Sequence, residues 1–321
     1  MAPLDSDIYY VGTPTNLPNK QPCFATLSEL GILFSELGVS SHDNIEIRII
    51  SNVNDTATAE FGVSGLGGNQ HYLLRPDIGV AGITITNSVS DPNSAIIRLA
   101  GIQNFTIEGS TVPGGSARNL SFVKEGNGSA ISINGAVNTN IRNLNLTGVR
   151  DVVTVSGAHA YTITNNRLTR ARNVAINTFN GSSNGEISYN LIGGNYFTDQ
   201  VGSGIAMLDG PVNVQVFHND FFSIVGYNAN TFAFNIGGLS HQQPLNINIY
   251  NNTVHNIRTE TDTVNSFVSA FQVQNASNVN IYHNTVLITL GLEQPQAGQT
   301  SIFYAPTNTS SIVSLNNLLR T

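Results

Sequence analysis

Ile281-Tyr282-His283-Asn284-Thr285-Val286 is one copy of a phrase that occurs six times in the second half of the chain. It consists of a β-branched residue, two variable positions, an asparagine, one variable position and an apolar residue. The other copies are Ile163/Asn166/Leu168, Ile187/Asn190/Ile192, Val216/Asn219/Phe221, Ile249/Asn252/Val254 and Val313/Asn316/Leu318. Successive asparagines lie 24, 29, 33, 32 and 32 residues apart, the period of a solenoid in which each coil buries its apolar face against its neighbours.

The phrase describes a strand that ends in a tight turn. Alternate strand residues share a face, so the Ile or Val points inward and its neighbours outward. Asparagine suits the turn because its side chain bonds nearby backbone and tolerates left-handed angles. With coils stacked about 4.8 Å apart, Asn166, Asn190, Asn219, Asn252, Asn284 and Asn316 fall into one column, and their amides bond along it as in stacked sheets.

Toward the N-terminus the pattern loosens. Ile102-Gln103-Asn104-Phe105-Thr106-Ile107 aligns by eye with Ile141-Arg142-Asn143-Leu144-Asn145-Leu146, and residues 45–50, 71–74, 83–86, 95–99 and 130–133 read as strands. About ten coils result, a rod on the order of 50 Å long. A helix is predicted over about 26–37: Thr26 and Glu29 form a capping box, Leu27, Leu30, Leu33, Phe34 and Leu37 an apolar stripe, and Gly38 a C-terminal cap. It should cover the first coil. Residues 1–23, with Tyr9, Tyr10, Pro14 and Pro18, read as an extended arm before a single domain over 24–321. The last coil carries no closing element in the sequence, so contact with another copy through that coil and the arm is expected.

The helix followed by asparagine-rich repeats such as Asn278-Val279-Asn280-Ile281-Tyr282-His283-Asn284-Thr285-Val286 resembles the right-handed parallel β-helix, or pectin-lyase-like, superfamily over residues 24–319. The style of the coils is most similar to secreted bacterial cell-surface repeat proteins. The resemblance implies an all-β solenoid with an N-terminal capping helix. It leaves activity open, since that superfamily holds lyases, hydrolases, epimerases, tailspikes and surface proteins.

Composition fits a protein of the cell exterior. Only 10% of residues are charged against a usual ~25%, with amides and hydroxyls in their place. No apolar run is long enough to span a membrane, and the first ten residues lack a signal peptide's basic and apolar regions, so the chain reads as a mature extracellular form. Cys23 is the single cysteine and closes no disulfide within the chain.

Charge is segmented, with net −7 over residues 1–117, +5 over 118–172 and −5 over 173–321. Arg142, Arg150, Arg167, Arg170 and Arg172 form the basic belt and are candidates for binding an anionic glycan, whose carboxylates or sulfates match a guanidinium fork. Their plainer role is to solubilise coils short of charge. The acidic balance argues against nucleic acid.

A catalytic site of this class needs carboxylates beside a basic or titratable partner. Asp199, Asp209, Asp220 and His241 are scattered, while His255, Arg258, Glu260 and Asp262 form the one local cluster with that mixture. Charges spaced along a loop usually face water. No metal site and no cofactor are expected, calcium entering only if the protein is an enzyme. The column before the ladder places His218 and His283 two coils apart, too far to share a metal, and Phe217, Tyr250 and Tyr282 should stack as an aromatic stripe. The sequence therefore reads as a non-catalytic structural rod that self-associates end to end, with a uronate lyase or epimerase and a glycan-binding tailspike module as the alternatives.

Overall fold

A computed structural model describes residues 7–13, 21–37, 44–62, 70–197, 201–227, 230–238, 242–260, 267–288, 300–305 and 310–320. They fall into two compact units, the first made of residues 1–149 and 158–166, the second of 150–157 and 167–321. The sequence reading treats 24–321 as one domain.

In the first unit one parallel sheet has the spatial order Cys23–Phe24, Ile8–Val11, Asn44–Ile49, His71–Pro76, Phe105–Glu108, Val137–Arg142 and His159–Thr164. A second contains Val53–Asp55, Ile83–Asn87, Leu120–Lys124 and Leu144–Thr147, and a third Ala59–Gly62, Ala95–Ala100 and Ser129–Asn134. From Asn44 onward each strand pairs with the third strand after it, so every coil contributes one strand to each sheet. Parallel strands require such crossovers, and crossovers are right-handed.

Alternation explains the core. Ile45, Ile47 and Ile49 are buried, while Glu46 and Arg48 between them point out. The helix Leu27–Leu37 is capped by Thr26, whose hydroxyl accepts the Glu29 N–H at 3.1 Å, and Glu29 accepts from Ala25 N–H at 2.9 Å. Buried Asp55 takes the N–H and hydroxyl of Ser28 in the helix's first turn, where a carboxylate also meets the positive end of the helix dipole. Leu27, Leu30 and Phe34 are fully buried, and the Phe34 ring meets Tyr9 at 5.0 Å and Phe61 at 5.9 Å. Gly38 lies outside the described residues.

The first segment departs from the arm reading. Ile8–Val11 is a strand between Cys23–Phe24 and Asn44–Ile49, with Tyr9 and Val11 wholly buried. Two apolar side chains at alternate positions are enough to join a sheet that offers an open edge. The alignment of 102–107 with 141–146 is also corrected. Ile107 pairs with Ile141, and Gln103 bridges to Val137, so Asn104 stands beside Asn138 at the start of its strand rather than beside Asn143 at the end.

The second unit repeats the design. One sheet contains Glu186–Ser188, Val212–Phe217, Leu245–Tyr250, Ser277–Tyr282 and Ser310–Leu315. Another contains Arg167–Thr169, Leu191–Phe197, Asp220–Tyr227, Thr253–Glu260, Thr285–Ile288 and Leu318–Arg320; the third runs from Asp151–Ser156 through Val174–Phe179, Val201–Leu208, Asn230–Gly237 and Val268–Gln274 to Thr300–Tyr304. The ladder runs along the turn between the first two. Asn219 Oδ1 accepts both the N–H and the side-chain amide of Asn190 at 3.0 Å, and Asn252 serves Asn219, and Asn284 serves Asn252, at the same distances. Each amide from Asn219 on also donates to a carbonyl of the preceding coil, as Asn252 does to Val216. In the first unit Asn166 makes the equivalent bonds to Leu144 N–H and Ile141 O.

The last rung is Asn317, not Asn316. Asn317 Oδ1 accepts from Asn284 N–H at 2.8 Å and from its amide at 3.1 Å. The register pairs Ile281 with Ser314 and Tyr282 with Leu315, which leaves Val313, Leu315 and Leu318 exposed. Nor do the ladder asparagines adopt the left-handed conformation. The residue before each does: Asn165, Tyr189, His218, Asn251, His283 and Asn316 have φ between 51° and 56°.

Candidate functional site

Four strands of the first unit turn charge outward in register. Arg48 stands next to Arg75, and Arg142 next to Glu108. Adjacent guanidinium groups repel, and the carboxylates between them relieve it. Glu46 accepts from Arg48 at 2.9 and 2.6 Å and from Arg75 Nε, while Arg48 also lies 3.5 Å from Asp77. Arg75, 3% exposed, donates to Thr111 O at 2.5 Å and so ties the segment after Glu108 to the sheet. Glu108 is completely buried and accepts from Asn143 and from Ser110 N–H. A buried carboxylate needs such partners. Its second oxygen lies 2.5 Å from Arg142 Nε, but the N–H is not aimed along the contact, so this is a charge pair rather than a formed hydrogen bond.

An open groove of about 640 Å³ lies over this face, bounded by Asn44, Glu46, His71, Asn104, Thr106 and Arg142. Arg142 is about a third exposed, at 32% of its side chain, and among the described residues its two Nη groups have no partner. Three guanidinium groups face three carboxylates here. Each carboxylate lies within ion-pair distance of an arginine, and among the described residues the Nη groups of Arg142 make no hydrogen bond.

No protein-family model matches the chain, and no curated protein matches it either. Among solved structures it is similar to a pectin methylesterase from Aspergillus niger, with 13% identity, TM-score 0.44, 99% of this chain and 88% of that one covered. It is also similar to a polygalacturonase from Erwinia carotovora ssp. carotovora (12% identity, TM-score 0.46, 99% and 97% covered) and to PfbA, a surface adhesin of Streptococcus pneumoniae (13%, 0.37, 86% and 82%). Likenesses this distant assign nothing, and the fold is defined by the chain's own three-strand repeat in each unit. The chain is a right-handed parallel β-helix.

On this β-helix the residues anticipated as catalytic are only partly brought together. His255 Nε2 lies 3.1 Å from Asp220 Oδ1, with 43% and 49% of the two side chains exposed, and its ring stacks at 6.4 Å on Phe222. Arg258 donates to Asn256 Oδ1 at 3.2 Å. Glu260 closes the strand opposite Tyr227, and its side chain lies outside the described residues, as do Asp199, His241 and Asp262. The His255–Asp220 pair sits open to water, which weakens its electrostatics. Among the described residues no three His, Cys, Asp or Glu side chains gather closely enough to hold a metal ion.

Of the anticipated basic belt, Arg142 belongs to the first unit and is held to Glu108, while Arg150, Arg167, Arg170 and Arg172 belong to the second. Arg172 N–H donates to Arg150 O at 3.2 Å, and Arg167, Arg170 and Arg172 are exposed. Phe217, Tyr250 and Tyr282 stack with centroids 5.0 Å apart and planes within 8°. Their faces cover one another, leaving edges for solvent, and burial, followed by Tyr282, Glu186 and Tyr189, pushes the Tyr250 hydroxyl up. The charged groove went unread in the sequence. Its one local signal is the alternation Ile45-Glu46-Ile47-Arg48-Ile49, which sets two opposite charges on one outward face.

Proposed function

We propose that this β-helix is a non-catalytic extracellular protein that binds an acidic polysaccharide in the groove over Glu46, His71 and Arg142. The observation that carries the reading is the state of Arg142, whose Nη groups have no partner among the described residues and border the groove. A guanidinium fork suits a uronate carboxylate or a sulfate. Asn44, Asn104 and Thr106 offer amides and a hydroxyl for sugar hydroxyls. Cleavage by paired carboxylates needs one free acid and one free base, whereas Glu46, Asp77 and Glu108 are each bound to arginine. Among the described residues no helix is long and apolar enough to cross a membrane.

Titration calorimetry against polygalacturonate and alginate tests the reading. Arg142→Lys keeps a cation beside Glu108 but removes the fork, and is expected to weaken binding about tenfold, some 1.4 kcal/mol. Unchanged affinity in that variant excludes the groove. Release of unsaturated or shortened sugars by the wild type, lost in His255→Ala, replaces the binding reading with a lyase or epimerase. A second reading, self-association, is supported by the exposed Val313, Leu315 and Leu318, 42%, 57% and 63% accessible on paired strands. Sedimentation velocity decides it, since a concentration-independent monomer removes it.

A further inference from the structure

The second sheet of the first unit contains a buried lysine that the groove does not use. Along Leu120–Lys124 the alternation that sends Leu120 and Phe122 into the core sends Lys124 there too, and its side chain is completely buried. The neighbouring strand places Asn87 directly beside it, and the strand beyond places Asp55 beside Asn87. All three are wholly inaccessible to water. Asp55 is satisfied by Ser28, so the inward Lys and Asn beside it are costly unless those two serve one another.

The contacts around Asn87 are directional. Lys124 Nζ lies 3.0 Å from Asn87 Oδ1 and also donates to Val89 O. The same Oδ1 accepts Val89 N–H at 3.1 Å, and Asn87 Nδ2 donates to Ala57 O at 2.8 Å. The carboxamide is therefore fixed at both ends. Its carbonyl carbon lies one bond from the oxygen that Lys124 touches, and a backbone N–H is aimed at the oxygen where negative charge would collect. Burial lowers the Lys124 ammonium from its ordinary value, with Asp91 acting the other way, which favours the neutral amine a nucleophile requires.

We propose that Lys124 and Asn87 join in an intramolecular isopeptide bond. The ammonium first gives up one proton to solvent, a loss that burial favours. The Nζ lone pair then attacks Asn87 Cγ, and the C=O electrons move onto Oδ1 beside Val89 N–H. As they return, the Cγ–Nδ2 bond breaks. The departing nitrogen keeps its two hydrogens, takes a third from Nζ and leaves as ammonia, while Nζ retains the single hydrogen of the new amide. No oxidant or cofactor is needed, and the product is a neutral amide closing a loop of 37 residues. Fixed orientation in a dry site is what makes such an unactivated amide reactive.

Intact-mass spectrometry of the folded, purified chain tests this. The wild type is expected to be lighter than its sequence by one ammonia, and a protease digest to contain one branched peptide carrying residues 87 and 124. Lys124→Met and Asn87→Leu should both restore the full sequence mass. A wild type at full mass overturns the proposal without any variant. Loss of ammonia that persists in Lys124→Met, with no branched peptide, also overturns it, because the loss then comes from a succinimide at another asparagine.

Discussion

His283 shows how two neighbouring positions of one turn divide their tasks. Asn284 lies flat and feeds the ladder, while His283 carries the left-handed bend at φ 56°. That conformation crowds the Cβ of any residue but glycine, and asparagine offsets the cost with local hydrogen bonds. Asn165, Asn251 and Asn316 fill the same column. His283→Asn should therefore stabilise the protein by about 0.5–1 kcal/mol. The imidazole is exposed, and among the described residues its one polar contact is a 3.4 Å approach to Asn316, so little packing is lost. A urea midpoint that falls, at unchanged slope, would refute the column argument. The same turn marks the limit of sequence reading. Val313-x-x-Asn316-x-Leu318 matches the phrase, but so does the register one residue later when Ser314 is allowed inward, and only hydrogen bonds from Asn284 choose Asn317. Asn166 to Asn284 were legible because hydrophobic residues flank each of them. Glu46, Arg75, Asp77 and Glu108 were not, because their coils lack the phrase and nothing in the spacing reveals which charges stack.

At the level of elements, the helix Leu27–Leu37 was readable from its cap and stripe, whereas the strand Ile8–Val11 was concealed by the prolines that follow it. Gly31 in the helix is the informative residue. In an isolated helix Gly→Ala gains about 1 kcal/mol. Here a methyl group at Gly31 would lie 2.7 Å from Glu60 O and 3.1 Å from Glu60 N, both backbone atoms of a paired strand that cannot swing aside. The helix would have to lift off Phe61, opening the cluster of Tyr9, Phe34 and Phe61. Overpacking of this kind costs ~1–3 kcal/mol, so against the ~1 kcal/mol propensity gain Gly31→Ala should be destabilising by up to about 2 kcal/mol net. Thermal unfolding read by circular dichroism checks it. A variant as stable as the wild type would mean that the helix is not seated against Ala59–Gly62.

For the molecule as a whole, scarcity of charge makes its response to pH depend on a few buried groups. Tyr72 is 1% exposed, its hydroxyl donates to Gln70 Oε1 at 2.5 Å, and burial, with Tyr9 nearby, pushes its ionisation far above the ordinary 10.0. Tyr250 shifts the same way. Well below pH 10 a tyrosine is protonated in both folded and unfolded chains, so its contribution to stability is complete and constant. Above pH 10 the unfolded chain releases a proton that the folded one retains, the unfolded state binds fewer protons, and stability falls by up to about 1.4 kcal/mol per pH unit for each such group. The tyrosines' share of the urea midpoint should accordingly be flat well below pH 10 and decline as pH rises past it. Tyr72→Phe removes one of the two titrations. The variant starts lower, having lost the hydrogen bond to Gln70, but its decline above pH 10 should be shallower, so the two curves converge as pH rises. Parallel curves would show that Tyr72 ionises alike in both states and that its hydroxyl is not sealed in the core.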